Sequence, residues 1–510
     1  MNDWTSGYVT GVDYTFGYYP ELNPHRARFA LLCSGIQPPR VNRACELGFG
    51  QGVCVNLHAS ASRTQWVGTD FNPAQALFAQ DLARASGADV RLHDQSFEQF
   101  CAREDLPPFD YIALHGIWSW ISQDNRKRII DLVNRKLDVG GVLYVSYNAM
   151  PGWAAPGPIQ HLMSQHADKM SATGSGLLSQ VDQAIAFLER LLQTNPAYLR
   201  SVPGLEKRVA KIKEHNRNYV AHEYFNQEWA PMYFADMAGE LSAAKLSFAC
   251  SAHYTDLVPA VNLSAEHQKL LADISDPEFR ETVRDYMTNT QFRRDFWIKG
   301  ARRLSAAEQL RMIKATSVIL VTPSADVKFK IVGALGEVGM NEKMHAGVIE
   351  QLADHQPRSI GELEKRLSGS MSFPQVLRAL LLLIAKNDVA LVQGDAEQSD
   401  SLSSSRRLNK YLLQRTRDSS EISYLASPVT GGGVHVSYVH QLFLLSLMDG
   451  REGPDELAST AWRLMQAAGR KVNKDGKPME TPEDNLKELG TMAKQFLNKR
   501  LPGLRSLGIA

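Results

Sequence analysis

Residues Arg43 to Gly52 read Arg-Ala-Cys-Glu-Leu-Gly-Phe-Gly-Gln-Gly, and this stretch restricts the fold more than any other. A short apolar run that ends in alternating glycines and then resumes helical spacing reads as a buried strand, a tight turn and the start of a helix. Glycine at 48 and 50 lets the backbone turn sharply and leaves room for a ligand where a Cβ would stand. A second strand ends at Val67-Gly68-Thr69-Asp70. An acidic side chain about 20 residues beyond such a turn is the usual partner of two ribose hydroxyls. Strand, turn, helix and acidic strand in this order predict a nucleoside-binding site. The competing reading is a structural turn that is rich in glycine and nothing more.

The same alternation continues to Asn148. Strands are predicted at 42–47, 65–70, 88–93, 109–115 and 141–147, and helices near 25–34, 51–61, 73–86, 95–103 and 122–136. Strands separated by helices of this length build a parallel, doubly wound sheet. Ligands of such sheets bind beyond the carboxyl ends of the strands. That rule singles out Glu46–Gly52, Asp70-Phe71, His93-Asp94-Gln95, Leu114–Trp118 and Ser146–Trp153. Ahead of the sheet, Tyr8, Tyr14, Phe16, Tyr18 and Tyr19 either pack an N-terminal arm or cover a ligand.

At 510 residues the chain calls for about two to four domains. The predicted boundaries are 1–151 for the nucleoside domain, 152–310 for a helical middle region and 311–510 for a C-terminal region. The run Val181–Leu192 carries Ile185, Leu188, Leu191 and Leu192 on one stripe, and the basic run Lys207–Asn218 reads as a solvated face. A helix at 234–246 and strands at Ser247–Ala252 and Phe292–Lys299 leave open whether part of 230–305 returns to the first sheet. Further on, Ser317–Val321 and Val327–Ile331 read as a hairpin, followed by helices at 341–354, 359–367 and 374–386 and a strand at Val389–Val392. That succession suggests a winged-helix-like α+β module, with the serine-rich Gly394–Arg406 as an exposed loop or wing. Its third helix is too apolar to read a DNA groove, which favours a structural or docking role.

With 56 Lys+Arg against 55 Asp+Glu, no overall charge draws the chain to nucleic acid or an acidic membrane. Five scattered cysteines lack metal-ligand spacing and fit reduced, buried thiols, so no metal is expected. No apolar run nears the roughly 18 residues of a membrane span, and the start lacks signal-peptide order. A cytoplasmic protein is the expectation.

Two nucleoside ligands compete for the glycine turn. A dinucleotide needs its pyrophosphate on the helix N-terminus. Here Glu46 stands before Gly48, Gly50 and Gly52, and a carboxylate there repels a pyrophosphate but suits the sulfonium and amino group of S-adenosylmethionine. Asp70 would then hold the ribose and Phe71 lie against the adenine. Asp94 would accept from the adenine N6 amine, although Asp94 and Gln95 equally suit a helix cap.

Glu46-Leu-Gly-Phe-Gly-Gln-Gly52, Gly68-Thr-Asp70, Phe109–Trp120 and Val145–Trp153 together resemble a bacterial class I methyltransferase. The group most resembled carries a methyltransferase regulatory domain and includes rickettsial protein-lysine methyltransferases that modify outer-membrane protein. His222–Asn226 with Trp229, Tyr233–Met237, Leu425–Gly433 and Leu501–Gly508 resemble its later parts, so the likeness spans nearly the whole chain. It implies a Rossmann-like fold, S-adenosylmethionine as cofactor, a protein substrate and a cytoplasmic homodimer joined by a helical segment. Two departures stand out: Trp118 replaces a more usual tyrosine, and Cys45 a bulkier aliphatic residue.

A lysine acceptor has an unperturbed pKa near 10.4, and its deprotonation at pH 7 costs roughly 4–5 kcal/mol unless its surroundings lower the pKa. His115, Trp118, Trp120, Tyr147 and Trp153 are the candidate walls for such a site. Tyr147 and Asn148 are candidates for positioning the amine, and His115 for a base or a backbone contact in the cofactor site. The leading reading is an S-adenosylmethionine-dependent protein methyltransferase acting on lysine. The alternatives are a methyltransferase for a small metabolite, and a cofactor-binding scaffold without catalysis.

Overall fold

The computed structural model describes residues 15–172, 174–474 and 476–510; Tyr8 and Tyr14 lie outside them. After α1 (Pro24–Cys33) the chain alternates β1 (Arg43–Leu47), α2 (Val53–Ala61), β2 (Gln65–Asp70), α3 (Pro73–Ser86), β3 (Val90–Asp94), α4 (Phe97–Cys101), β4 (Phe109–Leu114), α5 (Gln123–Lys136) and β5 (Leu137–Asn148). Local chemistry explains the boundaries. Asn72 caps α3 by accepting from the Ala74 N–H at 3.0 Å, Pro73 opens the helix, and Gly87 closes it at φ +59°. Buried on both faces, β4 carries the near-continuous apolar run expected of a central parallel strand.

Two later strands complete this sheet. β6 (Leu246–Ser251) and β7 (Phe292–Lys299) join it beyond β5, giving the order β3-β2-β1-β4-β5-β7-β6. β7 runs antiparallel to both neighbours, with Tyr144 opposite Phe296 and Tyr147 opposite Arg293. The catalytic sheet is thus discontinuous in sequence, the question that the pattern at 230–305 left open.

Between β5 and β6 the chain forms α6 (Gly157–Met170), α7 (Leu177–Gln193), α8 (Ala197–Ser201), α9 (Leu205–Glu214) and α10 (Arg217–Tyr224), then α11 (Phe234–Ser242). The first five enclose a core of their own, with Trp153, Ile159, Val181, Ile185, Leu188, Val209, Ile212 and Val220. α11 instead packs its Phe234, Met237 and Leu241 into the core on one face of the sheet.

The C-terminal half departs from expectation twice. Ser317–Leu320 does not form a hairpin with the segment after it; it lies between Arg358–Ser359 and Val389–Val392 in a three-stranded antiparallel sheet. Lys330–Gly333 pairs with Gly336–Gly339 instead. The serine-rich run is no loop, because Asp395–Arg415 is one continuous helix. Small side chains let it lie close to α2, and the Ser404 and Ser405 hydroxyls donate to the Ser60 carbonyl at 2.7 and 3.0 Å. Polarity in that run reflects helix-to-helix hydrogen bonding, which composition cannot separate from exposure. The apolar helix Phe373–Ala385 buries Val376 and Leu380–Ile384, in keeping with a structural role. Among the described residues no helix is long and apolar enough to cross a membrane.

A buried ionic cluster ties β7 to the sheet. Arg293 donates to Asp295 (2.8 Å), Asp285 (2.8 Å) and Glu281 (2.9 Å), and the Tyr147 hydroxyl donates to Asp295 at 3.0 Å. Arg293→Met strands these carboxylates out of water, and a loss of about 3–5 kcal/mol in urea unfolding is expected. Lys213→Met, which removes an exposed pair with Glu189, is expected to change stability by less than about 1 kcal/mol in the same assay.

Candidate active site

The glycine turn after β1 is built on close approaches. Gly48, Gly50 and Gly52 all have positive φ. A Cβ on Gly52 would stand 2.3 Å from that of Ala79, and one on Gly48 would stand 2.5 Å from the Ile117 side chain. The Gly50 N–H donates to Asp70 Oδ2 at 2.8 Å and the Asn72 N–H to Asp70 Oδ1 at 3.0 Å. The turn is thereby locked to the end of β2.

A cavity opens above this turn at the carboxyl ends of the strands. Of the residues expected from sequence, Glu46, Gly48, Gly50, Gly52, Asp70, Phe71, Gln95 and His115 line it. Asp94 does not: it sits opposite Asp70 in the β2–β3 register with its side chain in solvent. Nor does it cap the next helix, since Ser96 and Gln99 form a capping box on α4.

The electrostatics of the cavity are one-sided. Glu46 is 4% exposed, and its Oε2 has no hydrogen-bond partner. Burial, reinforced by the neighbouring Asp70 charge, pushes its carboxyl up to about 8. Burial raises Asp70 to about 6, against the two backbone N–H groups that hold it ionised. Among the described residues no lysine or arginine lines the cavity. A pyrophosphate would meet two carboxylates and no cation. A cationic nucleoside without phosphates suits the donor set: Glu46 for the amino and sulfonium charge, Asp70 for the ribose hydroxyls, Phe71 and Gln95 for the adenine.

A second cavity, of about 560 Å³, adjoins the first through the shared walls Tyr19, His115, Gly116 and Trp120. Its far side is formed by the helical block, with Arg208, Lys211, His215 and Glu223, and its floor by Asn148, Phe292 and Arg294. His115 stacks on Tyr19 at 3.7 Å between ring centroids, and its Nδ1 shares a 2.7 Å hydrogen bond with the Tyr144 hydroxyl. Burial lowers His115 to about 4, so the ring is neutral at pH 7 and a weak base.

Two expected acceptor residues lie elsewhere. Successive side chains of a strand point to opposite faces, so Tyr147 and Asn148 cannot share a cavity. Asn148 faces it with an unpartnered amide nitrogen, while Tyr147 turns into the Arg293 cluster. Trp118 is fully buried in the core beneath the site, and its indole touches neither cavity. Trp120 and Trp153 do line the second cavity.

Sequence reading passed over Glu223, and it assigned Arg208 and Lys211 to a solvated face. Burial, opposed by Arg208, pushes Glu223 up to about 7. The only signal for it was its place within His222-Glu-Tyr-Phe-Asn226, which marked a family without a role.

Comparison with known proteins agrees with this geometry. The family model described as "Methyltransferase domain" matches residues 44–141, and that described as "Predicted methyltransferase regulatory domain" matches 216–299. The chain belongs to the class I S-adenosylmethionine-dependent methyltransferases that carry such a regulatory domain, with S-adenosylmethionine as cofactor. Within that class it shares a family with the uncharacterized protein sll1526 of Synechocystis sp. (strain ATCC 27184 / PCC 6803 / Kazusa), 38% identical over 99% of this chain and 100% of the relative. The uncharacterized protein RP789 of Rickettsia prowazekii (strain Madrid E) is 22% identical over 94% of this chain and 90% of its own length. The structure of PKMT2 from Rickettsia typhi in complex with AdoHcy has the same fold, with a TM-score of 0.69 and 17% identity over 98% of this chain and 100% of that one.

The Glu46 environment predicts a pH-dependent cofactor affinity. Free Glu46 titrates near 8, and a bound cation favours its ionised form, lowering the pKa in the complex. Affinity is therefore weakest where free Glu46 holds its proton and rises with pH, by at most about tenfold per unit, to a plateau above about 8. Calorimetric titration with S-adenosylmethionine between about pH 6.5 and 8.5 should follow this curve, and Glu46→Gln should flatten it.

Proposed function

We propose that this protein transfers a methyl group to the side-chain amine of a lysine in a protein substrate. The observation that carries the reading is the acceptor cavity, where Glu223 is the one carboxylate among the described lining residues, facing Asn148, His115 and Trp120. When bound, S-adenosylmethionine supplies an electrophilic methyl on a sulfonium. What the chain must supply is an amine without its proton.

Two features of the cavity work towards that. Arg208 and Lys211 line it, as does Arg294, whose charge is compensated by Glu21, and neighbouring positive charge favours the neutral amine over the ammonium. Arg208 is held in place over the Trp153 ring at 4.7 Å, and Arg294 by its 3.1 Å ion pair with Glu21. Glu223, with a pKa of about 7, then receives the amine proton at neutral pH, a task for which the His115 imidazole is too weak a base. Asn148 orients the amine through its side-chain amide. The structural likeness to rickettsial PKMT2 supports a protein acceptor, as does the helical block over the cavity.

The same cations favour a second reading, a small acceptor bearing a carboxylate or phosphate. Radiolabelled methyl transfer into a cell lysate separates the two. Label in the protein fraction, recovered as methyllysine after hydrolysis, is expected; label confined to small molecules overturns the lysine reading. Glu223→Gln should lower kcat on the protein substrate by about 10²-fold and remove the limb of the pH–rate profile near 7, with cofactor affinity unchanged. The reading also includes a homodimer through the helical block, which exposes Met170, Leu178 and Tyr198; a dimer mass in sedimentation checks it.

A further inference from the structure

A third cavity, of about 590 Å³, lies where the C-terminal region closes on the catalytic domain, and it shares no lining residue with the other two. Its wall carries Arg26, Lys386, Lys499 and Arg500, against Asp326 as the one acidic side chain among the described lining residues. Lys386 is neutralised by Asp388 at 2.8 Å. The other three cations form no ion pair among the described residues.

Arg500 is the most telling of them. Its guanidinium donates to the main-chain carbonyls of Val321 and His435, the latter at 2.8 Å. Burial pushes it below its ordinary value, against the pull of the Asp326 charge. Arg26 likewise meets neutral oxygens at the cavity wall. It donates to the Ile384 carbonyl (3.2 Å) and the Asn387 amide oxygen (3.0 Å), while its Nε is buried without a partner. Arg26 also lies over the Tyr254 ring at 4.7 Å, and cations whose hydrogen-bond partners are neutral oxygens gain from an anion brought into the space they face.

Backbone geometry points the same way. Lys499 and Arg500 belong to a π-helical turn, Phe496–Arg500, which brings Phe496, Lys499 and Arg500 to one cavity. Such turns are unusual in helices and are frequent at functional sites. Tyr18, Tyr424 and Phe496 add flat apolar surface beside the cations, and the volume suits a ligand of nucleotide size.

We propose that this cavity binds a small phosphorylated anion, with Arg26, Lys499 and Arg500 on the phosphates and the aromatic side chains against its uncharged part. Planar guanidinium groups match phosphate oxygens two at a time, and Lys499 adds a point charge from the solvent side. Tyr18 lines this cavity, and the adjoining Tyr19 is a wall of both others, so the ligand sits one residue from the methyl-transfer site.

The test uses the full-length protein saturated with S-adenosylhomocysteine, so that no probe can enter the cofactor cavity. Calorimetric titration with uridine diphosphate, pyrophosphate and uridine is expected to give binding by the two phosphorylated probes and none by uridine. Lys499→Glu changes an exposed side chain outside the transfer site and should weaken uridine diphosphate by at least about tenfold, leaving S-adenosylhomocysteine affinity unchanged. Arg26→Gln should weaken it in the same direction. The proposal is overturned if neither phosphorylated probe binds by about 5 mM, if uridine binds as well as uridine diphosphate, or if both variants bind like the parent. Because the readout is binding and not transfer, its failure would leave the lysine reading untouched.

Discussion

Two carboxylates, Glu46 and Asp70, stand beside each other at the lip of the sheet, out of water and without a cation between them. An arrangement of this kind costs stability in the free protein, because desolvation and mutual repulsion both disfavour ionisation. It is sustained by the surrounding backbone. β1 is held between β2 and β4, which fixes Glu46 at the centre. The glycine turn closes onto Asp70 through the Gly50 N–H. Gly68 completes the fit, since a Cβ there would meet the Glu46 carbonyl at 2.9 Å. Selectivity follows directly, for a cation relieves the pair and a phosphate aggravates it.

The acceptor side depends on how the sheet is finished. Because β6 and β7 come from residues far along the chain, the segment between β5 and β6 has to leave the sheet edge and return. The helical block is that excursion. Its return path pairs the Met232 N–H with the Asn148 carbonyl at 3.0 Å and the Ala230 N–H with the Ser119 carbonyl at 2.9 Å, fastening the block to the mouth of the site. β7 then pairs with β5, bonded through Asp295 to the Tyr147 hydroxyl, and contributes Phe292 and Arg294 to the cavity floor.

These two halves were unequally legible in the sequence. The elements from β1 to β5 emerge from apolar periodicity and turn residues, because each is stabilised largely by local pattern and by burial on a predictable face. The lining of the first cavity was readable for the same reason: Glu46, the glycines and Asp70 lie at strand ends, which the topology of a parallel sheet sends to one place. Acceptor residues depend on pairing between distant segments. Nothing local says that Glu223 and Arg208 line the cavity that Asn148 enters, or which of Tyr147 and Asn148, on opposite faces by strand alternation, would enter it. Trp118 misled because aromatic content near a site does not distinguish lining from core. The serine-rich helix misled because hydroxyls that bond to another helix have the composition of hydroxyls that bond to water.

The segment Tyr18–Pro20 joins all of this. Tyr19 forms a wall of the cofactor cavity and of the acceptor cavity, and its stacking on His115 is part of what buries that imidazole and keeps it neutral. Tyr18 is packed against His58 of α2 and against Tyr424 of a C-terminal hairpin in which Tyr424–Ser427 pairs with Gly432–His435. Gly432 and Gly433 in that hairpin lack the Cβ that would collide with the Tyr18 ring. One stretch of backbone is therefore packed against the C-terminal region at Tyr18 and stands between the two cavities at Tyr19. In physical terms the C-terminal half buttresses Tyr18, the neighbour of the ring that stands between the two cavities.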